Sequence, residues 1–260
     1  MNSTLTQAPA RRAAAASSTL APVAQFGIAL LRAGLKNRVS LASSLLTPLF
    51  MLGVFWLVTS DTAVLRFVFP GLVSFTVMLA GSNHAMRLVM WREQGVFTRL
   101  ACTPVPVGRL ALGAAGAQVA LGLVQALIVM AFGVGVVGVP VDALGALVAV
   151  AVLTLGGACF IAYGSLIGAL ARRAEVATML YIFTLLPLSF LGNTFMPLDQ
   201  MPAFVRAAGP WLPTTMISDL VRRLLLDGAL PANAYLPVLG LLIYTGLFSA
   251  LAVRLFRWEQ

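Results

Sequence analysis

Residues 143–170 read ALGALVAVAVLTLGGACFIAYGSLIGAL, with no charge at any position. About 20 mainly apolar residues suffice for a helix to cross the roughly 30 Å of hydrocarbon in a bilayer. The stretch is apolar on every side, whereas a membrane β-strand would alternate apolar and polar over about 10 residues. It therefore reads as a membrane-spanning helix.

Charges punctuate the rest of the chain, because a charged residue at the centre of a span costs about 2.5–3.5 kcal/mol on insertion scales. Charge-free intervals of 20 residues or more run 39–60, 67–86, 110–141, 143–171, 176–198 and 228–253. They predict an all-α integral membrane protein with six transmembrane helices, at about 39–60, 67–90, 110–139, 143–170, 176–195 and 233–253. Composition agrees: 60% of residues are hydrophobic and 10% charged, and mean hydropathy is +0.96. Soluble proteins carry about 25% charged residues.

The net charge of +9 would point to nucleic acid in a soluble protein, but its distribution says otherwise. With both termini in the cytosol, the cytosolic segments sum to +10 and the external ones to −1. That is the asymmetry expected of a multi-pass protein in a bacterial-type cytoplasmic membrane, and it leaves no role for nucleic acid. The only lysine is Lys36, so a phosphate loop requiring Gly-Lys-Ser/Thr cannot form. One histidine, His84, and two distant cysteines, Cys102 and Cys159, exclude a Cys/His metal cluster.

Outside the spans, residues 1–19 read as a disordered cytosolic tail preceding one transmembrane domain at 20–260. Arg11-Arg12 could open an export signal, but Pro22 and Gln25 interrupt the apolar run and no small-residue cleavage pattern follows. In 23–37, Gln25, Ala29, Arg32 and Lys36 share one helical face and Phe26, Leu30 and Ala33 another. This predicts an interfacial helix with apolar residues in lipid and Arg32 and Lys36 toward anionic headgroups; the alternative is an extension of the first span. After the second span, 91–106 read WREQGVFTRLACTPVP, a short helix ended by Pro104 and Pro106. Val96, Phe97 and Leu100 would form an apolar patch rimmed by charge, as a docking surface does. In 193–230, four prolines break the chain too often for a span, which predicts short helices at the outer interface, with Phe204 and Trp211 at its depth.

These two loops carry a resemblance. Glu93, Gly95, Leu100, Thr103 and Pro104 fall in register with the pattern E-x-E-x-G-T-x-x-x-L-x-x-T-P, with Trp91 in place of the first acid and Val96 in place of the threonine. Phe190, Phe195 to Pro197, Pro202 and Leu212-Pro213-Thr214 follow a second pattern. Both are similar to hallmarks of ABC type-2 exporter permeases, the membrane subunits of ATP-binding-cassette exporters of drugs, polysaccharides and lipid-linked glycans. The resemblance covers nearly all of the chain from about residue 20. It implies that 91–104 is a coupling helix, with Arg92, Glu93, Gly95, Val96, Phe97, Leu100, Thr103 and Pro104 at the docking site of a separate ATPase. ATP and Mg would be bound by that partner and no cofactor by this chain. It further implies a homodimer, or a heterodimer with a homologous permease.

Polar residues within the spans leave rivals open. His84, Gln118, Gln125 and Asn193 suit either interhelical hydrogen bonds or the lining of a pathway. Ser165 and His84 would make a serine hydrolase if they met and the histidine acted as base. A gradient-driven transporter or channel would need buried carboxylates, yet only Asp61 and Asp142 approach the spans, at their outer edges.

Overall fold

The computed structural model describes residues 8–59, 61–102 and 105–255, with side chains from Pro22 onward. Thr103 and Pro104, both expected at the docking site, lie outside the described residues, as do 1–7 of the expected tail. Among the described residues there are ten α-helices and no strand. In chain order they are α1 (Ala8–Lys36), α2 (Arg38–Val58), α3 (Thr62–Glu93), α4 (Val96–Ala101), α5 (Val107–Phe132), α6 (Ala143–Leu170), α7 (Ala174–Leu191), α8 (Ala203–Ala208), α9 (Pro213–Asp227) and α10 (Tyr235–Leu255). Six are long and apolar enough to cross a membrane: α2, α3, α5 with its π-helical extension to Val137, α6, α7 and α10. Their number is the six expected.

The boundaries differ where local chemistry overrides hydropathy. Helix α3 starts at Thr62 because the Asp61 carboxylate accepts the Ala63 N–H at 2.8 Å, and it runs through Arg92 and Glu93. Helix α7 stops at Leu191, short of the expected 195, since Gly192 follows and Asn193 adopts φ +55. Helix α1 extends back to Ala8, through much of the segment expected to be disordered. Its run Ala13–Ala16 has the highest intrinsic helix propensity of any residue type.

Helix α3 is the centre of the bundle, packed against α6, α5, α7, α9 and α2 and buried along most of its length. Phe69, Leu72, Phe75 and Met78 of α3 meet Leu153 of α6 and Leu185 of α7 in the main core. Lipid tails are as apolar as leucine, so such helices associate through close packing and hydrogen bonds, with small residues at the contact. A Cβ on Gly164 of α6 would overlap the Gly81 carbonyl of α3, and one on Gly81 would overlap the Phe160 carbonyl and Tyr181 Oη. Tyr181 Oη donates to the Met78 carbonyl at 2.6 Å, tying α7 to the same crossing. Contacts advance together along α3 and α6, from Gly81 with Gly164 to His84 with Ser165 and Arg92 with Ala171. The two helices are therefore parallel.

The connection from Gly192 to Gly228 is more deeply seated than the expected interfacial helices. Helix α9 packs on α6 from Gly145, beside Leu224, to Gly156, beside Ile217, which is near the middle of α6. Phe204 and Trp211 are exposed.

Candidate functional site

The bundle has an arginine-rich end where α1, the C-terminus of α3, α4 and the turn between α6 and α7 come together. Its geometry starts at Gly95. The left-handed φ of +63 is one that glycine adopts without steric cost, and it turns the chain sharply from α3 into α4. The helix within the 91–104 segment is therefore only Val96–Ala101, and Trp91, Arg92 and Glu93, expected in the same helix, form the last turn of α3.

Phe97 corrects the expected exposed patch. It is buried, forming with Leu88 a small core against which Trp91, Leu100, Val107 and Ala169 pack. An amphipathic six-residue helix cannot be stable alone, so its apolar side must be covered, and here α3, α5 and α6 cover it. Val96 and Leu100 are half-buried, while Glu93, Gln94, Thr98, Arg99 and Cys102 remain on the surface. Trp91 joins two aromatic contacts, to Phe97 at 6.1 Å and 80° and to Phe26 of α1 at 6.1 Å. Arg99 donates to the Gln94 carbonyl at 2.7 Å across the glycine turn.

Arg92 and Glu93 reach sideways. The Arg92 guanidinium donates to the Ala171 carbonyl, just past the end of α6. The Glu93 carboxylate accepts the Ala174 N–H at 3.4 Å, at the start of α7. Arg32 and Lys36 are exposed on α1, and the opposite side of α1 packs on α5. A Cβ on Gly27 would lie 2.9 Å from the Gly113 carbonyl, and one on Gly34 2.6 Å from Leu121.

The polar residues of the spans separate into different roles. His84 Nε2 lies 3.1 Å from Ser165 Oγ, and Ser165 Oγ also donates to the Ile161 carbonyl at 3.0 Å. The pair thus meets, but His84 Nδ1 has no partner, so no carboxylate orients the ring as a general base requires. Both residues border a cavity of about 820 Å³ whose other walls include Ala115, Gly116, Ala162 and Ala252. Gln125 Nε2 donates to Ser44 Oγ at 2.8 Å, joining α5 to α2. Gln118 is buried with Oε1 unpartnered. Asp61 and Asp142 cap α3 and α6, the latter accepting the Gly145 N–H at 2.6 Å.

Asn193 belongs to a knot at the opposite end. Its Nδ2 donates to Asp219 Oδ1 at 2.6 Å and its Oδ1 accepts the Leu198 N–H at 3.1 Å. Arg222 donates to Asp219 at 2.8 Å, to the Asn193 carbonyl at 2.8 Å and to the Phe67 carbonyl at 3.3 Å, with its guanidinium 3.9 Å from the Phe67 ring centre. Irregular backbone at membrane depth persists only when protein groups satisfy it, and Arg222 does so here. Sequence reasoning missed this knot, although an arginine pair inside VRRLLL was its visible signal.

Comparison with known proteins accords with this architecture. A sequence profile of the ABC-2 type transporter matches residues 29–226. Nodulation protein J of Rhizobium leguminosarum bv. trifolii is 25% identical over 170 residues, 62% of this chain and 61% of that protein. The chain thus spans about three fifths of that relative's length. The bv. viciae protein of the same name is 25% identical over 188 residues, 68% of each. The transport permease named ycf38 of Cyanophora paradoxa is 27% identical over 204 residues, 72% of this chain and 69% of that one. With a profile match over most of its length and six helices long and apolar enough to span a bilayer, the chain belongs to the ABC-2 type transporter family.

Proposed function

We propose that the chain is the permease subunit of an ATP-driven exporter, moving a drug, lipid or glycan-type substrate out of the cytosol. A separate nucleotide-binding subunit carries the ATP and Mg and docks on the 91–104 loop through the exposed side of α4. The observation that carries this reading is α4 itself: a six-residue helix fixed by the Phe97 core behind it and offering Thr98, Arg99 and Cys102 to solvent. Such an element can accept a push on its polar side and pass it inward without deforming. Two permeases and two ATPase subunits make the working unit. In this reading the arginine-rich end faces the cytosol of a bacterial-type inner membrane, both termini lie there, and Arg32 and Lys36 contact anionic headgroups.

Co-expression with a candidate partner ATPase subunit tests the docking. Arg99→Glu, at an exposed position, is expected to lower co-purification of the ATPase at least tenfold while the permease stays monodisperse. Undiminished co-purification together with full transport would remove α4 from the interface. Orientation has its own assay, because Cys102 is exposed and Cys159 buried. An impermeant maleimide is expected to label Cys102 in inside-out vesicles and not in intact cells; labelling in intact cells reverses the topology.

A further inference from the structure

We propose that Arg92 and Glu93 are positioning residues that bind the end of α3 to the α6–α7 turn, so that motion imposed on α4 reaches α6 and α7 at once. The proposal rests on reading α4 as the ATPase contact, and it assigns these two residues to work inside the chain rather than to docking.

The signs of the charges carry the argument. The last carbonyls of a helix bear partial negative charge and the first N–H groups partial positive charge. Arg92 donates to the Ala171 carbonyl at the C-terminal end of α6, while Glu93 accepts from Ala174 N at the N-terminal end of α7. Two adjacent residues of opposite sign thus each meet the helix end of complementary sign. Only the order arginine then glutamate achieves this.

The arrangement follows from the parallel course of α3 and α6, which brings their C-termini to one end of the bundle. The turn is itself seated, with Ala171 and Ala177 buried. Among the described residues Arg92 and Glu93 form no ion pair, the single salt bridge being Arg222 with Asp219, so both charges are directed at the turn. Ala169 of α6 packs on the Phe97 core, and α4, the end of α3 and the α6–α7 turn therefore form one connected body.

The test uses the permease co-expressed with its ATPase and compares Arg92→Ala, Arg92→Lys and the exchanged pair Arg92→Glu with Glu93→Arg. Assembly and ATP turnover are expected to stay within about twofold of the parent. Transport is expected to fall at least tenfold in Arg92→Ala and further in the exchanged pair, while Arg92→Lys, which keeps the cation, recovers a third or more. Parental transport in Arg92→Ala overturns the proposal, and so does loss of assembly, which would make Arg92 a docking contact. Hydrogen exchange on the permease alone separates the two readings. In Arg92→Ala the amides of 171–177 are expected to exchange at least fivefold faster, and unchanged exchange rejects the strut even if α4 proves to be the docking site. Faster exchange in a chain whose α4 binds no ATPase would instead keep the strut and reject the docking.

Discussion

Gly164→Leu is expected to leave almost no folded protein in the membrane. A Cβ at this position would overlap the Gly81 carbonyl, and Gly81 in turn has no room against the Phe160 carbonyl and Tyr181 Oη. The obstructing atoms on both sides include backbone, which cannot rotate away as a side chain can. The helices would have to separate, and the bonds from Tyr181 to Met78 at 2.6 Å and between His84 and Ser165 at 3.1 Å would stretch with them. Overpacking alone costs about 1–3 kcal/mol, and two lost hydrogen bonds add about 1 kcal/mol each. The sum approaches the roughly 5–15 kcal/mol total stability of a native protein. Size-exclusion profiles of a fluorescent fusion in detergent measure it, with Gly116→Leu as control because a Cβ there meets open space. A monodisperse Gly164→Leu peak at parental height would refute the crossing.

Arg222→Ala is expected to destabilise the folded state by about 2–5 kcal/mol. The loss would orphan the carbonyls of Asn193 and Phe67, and a buried polar group left without a partner costs about 1–3 kcal/mol. The salt bridge adds less, because the Asp219 side chain keeps 39% of its exposure and water screens it. Lysine is expected to restore only part of the loss, since its single ammonium cannot serve three acceptors held in the planar fork of arginine. Thermal unfolding in detergent reads the order directly: parent, then Arg222→Lys, then Arg222→Ala. An Arg222→Ala midpoint equal to that of the parent would show that the knot is not structural.

The bundle was legible because hydropathy is a one-body property: each residue of 143–170 prefers hydrocarbon whatever its neighbours do. For the same reason Asp61 and Asp142 were readable as residues at span edges. What was not legible depends on pairs. The direction in which Phe97 faces is set by Leu88, Trp91 and Ala169, which lie on other elements, and a sequence pattern alone made it look exposed. Asn193 read as a generic polar residue because its partners, Asp219 and Arg222, come 26 and 29 positions later. Arg92 and Glu93 read as docking charges because nothing local reveals that Ala171 and Ala174 stand beside them. The meeting of His84 with Ser165 was conceivable from composition, but its meaning turned on the unpartnered Nδ1.

The parallel crossing of α3 and α6 also sets a timetable for biosynthesis. His84 and Ser165 are separated by 81 positions, and chains grow at about 5–20 residues per second. After α3 is made, roughly 4–16 s pass before the ribosome adds the helix that covers its glycine face. During that interval the helix most enclosed in the finished protein has no α6 beside it, and its histidine waits in the bilayer for a partner not yet synthesised.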